Sequence, residues 1–290
     1  EVVSLLPPSS IIMLRVALRR NLFKAHLISF RSCSAVAATA PTVVTDEIKV
    51  NVKPTEEEII RILRTCQAVC FDVDSTVIPE EGIDELAAFK GVGDAVADLT
   101  RKAMGGQVLF QDALAARLDL IQPSKSDITT YLEQRDKLAT GSSSSDKTHR
   151  LTPGVQSLVN KLHAKGKIVY LISGGFRQMI EPIADILDIP IHRVYANNLL
   201  FDASNGKFAG FDPKELTSRD GGKPAVLKKL IDAHGYGPVV MIGDGVTDMQ
   251  AKPPADLFIG FGGVVTREEV RIGADLFVTD FKAIEDLLDR

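Results

Sequence analysis

The chain is poor in the residues that staple or metallate small proteins. Three cysteines in 290 residues (Cys33, Cys66 and Cys70) exclude a disulfide scaffold, and Cys66 and Cys70 stand at the wrong spacing for a CxxC metal or redox pair. Buried free thiols in a reducing compartment are the reading that remains. Five histidines lie scattered without ligand spacing, so a zinc site has no support. No uninterrupted apolar run approaches the ~20 residues of a membrane-spanning helix. A basic excess is missing too: the net charge is −4, and beyond residue 45 there are 29 basic against 37 acidic side chains. That excludes a nucleic-acid partner, which needs a basic face. No internal repeat is visible.

One segment lacks acids instead. Residues 1–45 carry Arg15, Arg19, Arg20, Lys24 and Arg31 against Glu1 alone. From Met13 the run "MLRVALRRNLFKAHLISFRSCSAVAATA" alternates apolar residues with Arg and Lys, as an amphipathic transit peptide does. Residues 1–12 then read as extra sequence ahead of a start Met. The expectation is an organelle after import: the mitochondrion is favoured, a plastid if the source is photosynthetic, the cytoplasm if the leader is not used. The alternative is an amphipathic helix lying on a membrane surface. Charges interrupt the apolar run that a secretory signal needs.

What is present suits a soluble globular protein with a substantial core: 45% apolar and 25% charged residues. Thr55 and Glu58 predict a capping box opening a helix at "TEEEIIRIL", and "AVCF" (68–71) follows as a buried strand. From about Asp84 to Leu138 apolar residues recur three or four apart, with Asp94 and Ser124 as candidate N-caps. "GSSSSD" (141–146) reads as a linker. Beyond it strands alternate with helices: a helix from Thr152-Pro153 to Gly166, "KIVYLIS", "FRQMIEPIADILD", a hairpin around Ser204-Asn205-Gly206, a helix over 224–234, "PVVMIGD", "DLFIGF" and "DLFVTD". The fold class predicted is α/β, a doubly wound, Rossmann-like parallel sheet with an inserted helical cap domain. The expected divisions are a leader at 1–45, the start of the α/β core at 46–80, the helical cap at 81–146 and the catalytic core at 147–290.

Three of these strands would end in polar groups on the side where open parallel sheets bind ligands. The first delivers Asp72 and Asp74, the second Ser173-Gly174-Gly175, and the third Asp244 and then Asp248. Lys223 sits where a helix begins. Each has a plain alternative: a turn, a helix cap, a solvated charge. Together they have one chemistry. Clustered carboxylates without His or Cys make a hard oxygen site suited to Mg²⁺. Lys and Ser opposite a metal suit a phosphoryl group, and the glycines let backbone N–H groups approach an anion. One carboxylate can be nucleophile and the other acid and base. Rival motifs fail. An EF-hand needs Gly and Glu where Val77 and Ile83 stand, a P-loop is broken by Thr217 and Pro224, and "GFGGVV" lacks a third dinucleotide-binding glycine.

"FDVDSTV", "LISGG", Lys223 and "IGDGVTD" resemble, in order, the four motifs of the haloacid-dehalogenase-type phosphohydrolases. With "FDVDSTVIPEEGIDELA", "KAMGG", "ARL", "LISGGFRQMI", "GGKPAV", "GDGVTDMQA" and "FIGFGG", residues 56–290 are similar to the phosphoserine phosphatase branch of that superfamily. The resemblance implies hydrolysis of phosphoserine, the last step of serine biosynthesis. Asp72 would be the nucleophile and Asp74 the acid and base. Mg²⁺ would sit on Asp72, the carbonyl of Asp74, and Asp244, with Asp248 supporting the site and Lys223. Ser173, Gly174 and Lys223 would hold the phosphate. Glu81 would take the ammonium and Arg117 the carboxylate, with Met104, Gly105 and Phe110 lining the pocket and Thr247 and Arg267 in further contact. Glu81 and Arg117 read equally well as a surface charge pair. A phosphotransferase acting on another amino-acid alcohol and a non-catalytic regulatory relative are the alternative functions; the latter expects a lost nucleophile or lysine, and both are present. The expected partner is the small-molecule substrate, with no nucleic acid and no membrane, and a homodimer is allowed.

Overall fold

The computed structural model describes residues 53–103, 108–140 and 148–290. The leader with Cys33, the "GSSSSD" linker, Met104 and Gly105 lie outside them. Helix α1 (Glu56–Thr65) opens with the expected capping box: the Glu58 N–H donates to Thr55 Oγ1, and the Thr55 N–H to the Glu58 carboxylate at 2.8 Å. Strand β1 (Ala68–Phe71) is buried along its whole length. Val69 and Phe71 enter one hydrophobic layer, Ala68 and Cys70 the other. A strand covered on both faces has no polar side, which is why it reads as an unbroken apolar run.

Four helices follow before the chain returns to the sheet: α2 (Gly82–Phe89), α3 (Gly93–Ala103), α4 (Phe110–Ile121) and α5 (Lys125–Thr140). Ser124 caps α5 as expected, its hydroxyl accepting from the Asp127 N–H at 3.1 Å. Asp94 does not cap α3. That helix already starts at Gly93, so Asp94 lies in the first turn, where its charge complements the helix dipole.

The α/β alternation then runs α6 (Val155–Ala164), β2 (Ile168–Phe176), α7 (Arg177–Ile186), β3 (Val194–Asn197), the hairpin β4 (Leu199–Phe201) and β5 (Phe208–Phe211), and α8 (Gly222–His234). It closes with β6 (Val239–Gly243), α9 (Val246–Met249), β7 (Leu257–Phe261), α10 (Glu268–Gly273), β8 (Leu276–Val278) and α11 (Phe281–Asp289). The six-stranded sheet has the order β3-β2-β1-β6-β7-β8, and every pair in it is parallel. The doubly wound α/β fold is therefore as predicted. The chain winds outward from β1 to β3, then restarts on the other side of β1 with β6. At such a reversal the connections leave in opposite directions, opening a crevice beyond the strand ends.

Helices α1, α6, α7 and α11 cover one face of the sheet through Leu63, Leu158, Ile183 and Phe281. The other face packs on α8 through Val226, Leu227 and Leu230. A third apolar cluster joins α2–α5 to Phe176, Met179 and the β4–β5 hairpin. The inserted helices thus rest on the first turn of α7 and on the hairpin, directly above the carboxyl end of β2.

Candidate active site

The segment after β1 positions two carboxylates differently. Between Asp72 and Ile78 the chain makes one wide turn, closed by the Ile78 N–H donating to the Val73 carbonyl at 3.0 Å. Ser75 takes a left-handed conformation there (φ 53°), a departure that surrounding structure must hold. The two acids, two residues apart, take different partners. Asp72 stays on the strand axis and faces Lys223, whose Nζ is 2.7 Å from its Oδ2. Asp74 is turned toward the inserted helices. Its Oδ1 accepts from the Gly82 N–H at the start of α2 (2.8 Å), and its Oδ2 accepts from the Ser173 hydroxyl (3.1 Å). A Cβ on Gly175 would stand 2.6 Å from Asp74 Oδ2, so a side chain at 175 would evict the carboxylate. The glycine in "SGG" is required by that approach.

Lys223, on the first turn of α8, also reaches Asp248 Oδ1 at 2.5 Å. Asp248 folds back from α9, its Oδ2 accepting from the Gly245 N–H at 2.9 Å. The fold-back needs Gly243, where a Cβ would meet Asp248 Cγ at 2.2 Å. Asp244 accepts from Thr76 Oγ1 (3.2 Å) and from Arg267 Nε (2.9 Å). Asp72, Asp244 and Asp248 are all buried and offer oxygens within 4.8 Å of one another. Three buried carboxylates facing Lys223 and Arg267 leave negative charge uncompensated. An all-oxygen donor set with that deficit fits a hard divalent cation.

Burial, together with the neighbouring charges of Asp72 and Glu81, raises Asp74 to about 7. Burial likewise raises Asp244 and Asp248, with Asp72 adding to both. Burial opposes the charge on Lys223, but Asp248 and Asp72 outweigh it, so its ammonium is held more firmly than in water. Glu81, at the start of α2, is raised by burial; its carboxylate accepts from Ser75 Oγ at 2.8 Å and lies 3.5 Å from Arg267 Nη2.

A cavity of about 620 Å³ opens above these groups, with Asp72, Asp74, Glu81, Arg117, Lys223 and Arg267 in its wall. Phe110, Gly174, Asp244 and Thr247 line it as well. Burial lowers Arg117, while Asp84 and Glu81 oppose that shift; its Nε donates to the Ala113 carbonyl of its own helix. Every expected site residue among the described ones is thus at or beside this cavity: Ser173 and Asp248 lie just behind the wall.

The sequence profile of the haloacid dehalogenase-like hydrolases matches residues 66–253. The phosphoserine phosphatase, chloroplastic, of Arabidopsis thaliana is 49% identical over 241 residues, 82% of this chain and 77% of that protein. The phosphoserine phosphatase of Homo sapiens is 47% identical, over 77% of this chain and 94% of its own length. The chain is a haloacid dehalogenase-like hydrolase of the phosphoserine phosphatase family. Among solved structures, a chain described as DsGPDH of Dunaliella salina superposes with a TM-score of 0.68 at 32% identity, covering 82% of this chain and 38% of that one. This chain therefore spans well under half the length of the Dunaliella protein.

Two members of the site escaped the sequence reading. Asn197, fully buried at the end of β3, donates from Nδ2 to the Gly174 carbonyl at 2.7 Å and accepts from Thr217 Oγ1 at 2.9 Å. These bonds fix the peptide after Gly174, while the Gly175 N–H is held by Ser173 Oγ at 2.8 Å. An Asn ending a short strand and a Thr before a helix carry no pattern of their own. Only the closeness of β2 and β3 reveals them.

The state of Asp74 makes stability depend on pH. An unfolded chain ionises this carboxyl near 3.8, whereas the native state ionises it at about 7. Between those values the native protein binds the extra proton, so its stability falls as pH rises. Asp74→Asn removes that loss. In metal-free protein, thermal denaturation is expected to show Asp74→Asn more stable than wild type at pH 8, by ~2 kcal/mol after allowance for its partial exposure, with the difference shrinking toward pH 4. A difference independent of pH would mean that Asp74 ionises normally.

Proposed function

We propose that the chain is a Mg²⁺-dependent phosphoserine phosphatase that releases L-serine and inorganic phosphate through an aspartyl-phosphate at Asp72. The observation that carries this is the unlike surroundings of Asp72 and Asp74. One carboxylate is ion-paired and aimed at the cavity; the other, two residues away, is raised to about 7 by burial and its acidic neighbours, so it can hold or release a proton near neutral pH. Such a pair suits a nucleophile beside an acid. Asp72 attacks phosphorus, and the Lys223 ammonium, the Ser173 hydroxyl and backbone N–H groups around Gly174 balance the charge of the equatorial oxygens. Asp74 donates its proton to the departing serine oxygen. Now ionised, it takes a proton from the water that cleaves the acyl phosphate, which returns both groups to their starting states. Asp72, the Asp74 carbonyl and Asp244 would hold Mg²⁺, with Asp248 fixing Lys223; when bound, the ion neutralises phosphoryl oxygens and draws charge from phosphorus.

Residues 81–146 form the cap in this reading, and the specificity comes from it. Glu81 meets the ammonium and Arg117 the carboxylate, both from the wall of the cavity that Lys223 also lines. The Arabidopsis thaliana and Homo sapiens relatives, both named phosphoserine phosphatases, support that substrate. The acid-free segment from Met13 acts as an import leader, and the chloroplastic address in the Arabidopsis thaliana name supports an organelle. A fluorescent protein fused after residue 45 is expected to enter an organelle in the native host; uniform cytosolic fluorescence would contradict this.

The functional test is phosphate release from a panel of phosphomonoesters with Mg²⁺, in wild type and in Arg117→Ala. Phosphoserine is expected to lead the panel for wild type. Truncating one member of a buried charge pair costs ~2–5 kcal/mol, so Arg117→Ala should lose at least ~30-fold in kcat/KM for phosphoserine. An aryl phosphate, which carries no carboxylate, should change little. Equal losses on both substrates would mean that Arg117 only holds the cap in place.

A further inference from the structure

Helix α4 begins without a cap of its own. Its N-cap position is Leu109, an exposed apolar side chain that makes no capping hydrogen bond. The missing acceptor arrives from the core. Both oxygens of Asp220, in the loop leading into α8, lie within reach of the Phe110 N–H, at 3.2 and 3.3 Å. The Asp220 N–H in turn donates to Gln111 Oε1 at 3.4 Å. This reciprocal pair reproduces a capping box, but across two parts of the fold that are 109–110 residues apart in sequence. A carboxylate at a helix N-terminus also meets the positive end of the helix dipole.

The location gives the contact a consequence. Phe110, Leu114 and Arg117 follow one another along one face of α4 and all line the cavity. The Phe110 ring lies so close over Gly174 that a Cβ there would be 3.1 Å from it. Asp220 stands three residues before Lys223, separated from it by Gly221 and Gly222. One side chain therefore ties the helix that carries the carboxylate-binding arginine to the loop that leads into the phosphate-binding lysine.

We infer that Asp220 is a positioning residue for specificity: by capping α4 from the core, it fixes the distance between Arg117 and Lys223 and so selects substrates that engage both. The inference rests on the phosphoserine reading. A substrate held only by its phosphate does not use that distance. Asp220→Ala should therefore raise KM for phosphoserine by roughly 3- to 30-fold, the range of a lost N-cap, with kcat less affected. Activity on p-nitrophenyl phosphate should stay within about twofold of wild type. Asp220→Asn keeps an acceptor that caps helices as well as Asp, and should restore most of the phosphoserine KM.

The experiment is steady-state kinetics on both substrates for wild type, Asp220→Ala, Asp220→Asn and Asp220→Ala combined with Leu109→Asp. The last variant gives α4 a local cap without the tie to the core, and its KM should remain high. Recovery of KM by the local cap would overturn the inference, because helix stability alone would then suffice. Equal loss on both substrates, or an unchanged phosphoserine KM in Asp220→Ala, would also overturn it. Wild type inactive on phosphoserine would instead refute the substrate reading, which separates the two failures.

Discussion

One buried ammonium governs the arrangement of the site. Lys223 is almost fully enclosed and contacts Asp72 and Asp248, neither of which has another cation within ion-pair distance among the described residues. Removing one partner from a buried pair costs ~3–5 kcal/mol, because the survivor is left charged in a poorly solvating environment. Lys223 therefore cannot leave without destabilising two carboxylates at once. The rest follows from keeping that charge in place. Asp248 folds back to it past Gly243, and α8 starts at the residue before it. Asp244 takes a different cation, Arg267, from the N-cap position of α10.

The remaining excess of negative charge divides the roles of the two acids on the β1 turn. Asp72 is held by its ion pair with Lys223 and lines the cavity. Asp74 has hydroxyl and amide donors but no cation, and it lies beside Asp72 and Glu81. Near neutrality its protonated and ionised states lie close in free energy, so it can give up and take back a proton. Two identical side chains two residues apart thus become a nucleophile and an acid through their neighbours alone. Ser75, left-handed within the same turn, donates to Glu81, one of the charges that act on Asp74.

How much of this was legible in the sequence depended on how local each signal is. Asp72 and Asp74 stand in one short motif at the end of an apolar run, and the capping box at Thr55 and the N-cap at Ser124 are each written in a few consecutive residues. Lys223 and Asp248 carry weaker local signals; single charged residues before and within helices are usually solvated, and these two joined the site only in combination with the polar groups at the strand ends. Strand β3 was missed because four residues between a turn and a hairpin offer too few alternations to read. Strand β2 runs further than its apolar stretch because Ser173-Gly174-Gly175 remain extended through contacts made by Asn197 and Asp74. Asp94 resembled a cap, but helix α3 found its first turn one residue earlier. Asp220 resembled an ordinary turn residue because its partner lies on another part of the fold. Side chains that act across the sheet, rather than along the chain, are the ones a sequence conceals.

The division of labour between Asp72 and Asp74 is tested most directly by trapping the reaction. Enzyme mixed with phosphoserine and Mg²⁺ should be quenched in acid within one turnover, digested, and mapped by mass spectrometry. The account predicts one added phosphoryl group on the peptide containing Asp72, at Asp72 itself, and none in Asp72→Asn. A phosphoryl group on any other residue, or full turnover by Asp72→Asn, would contradict it.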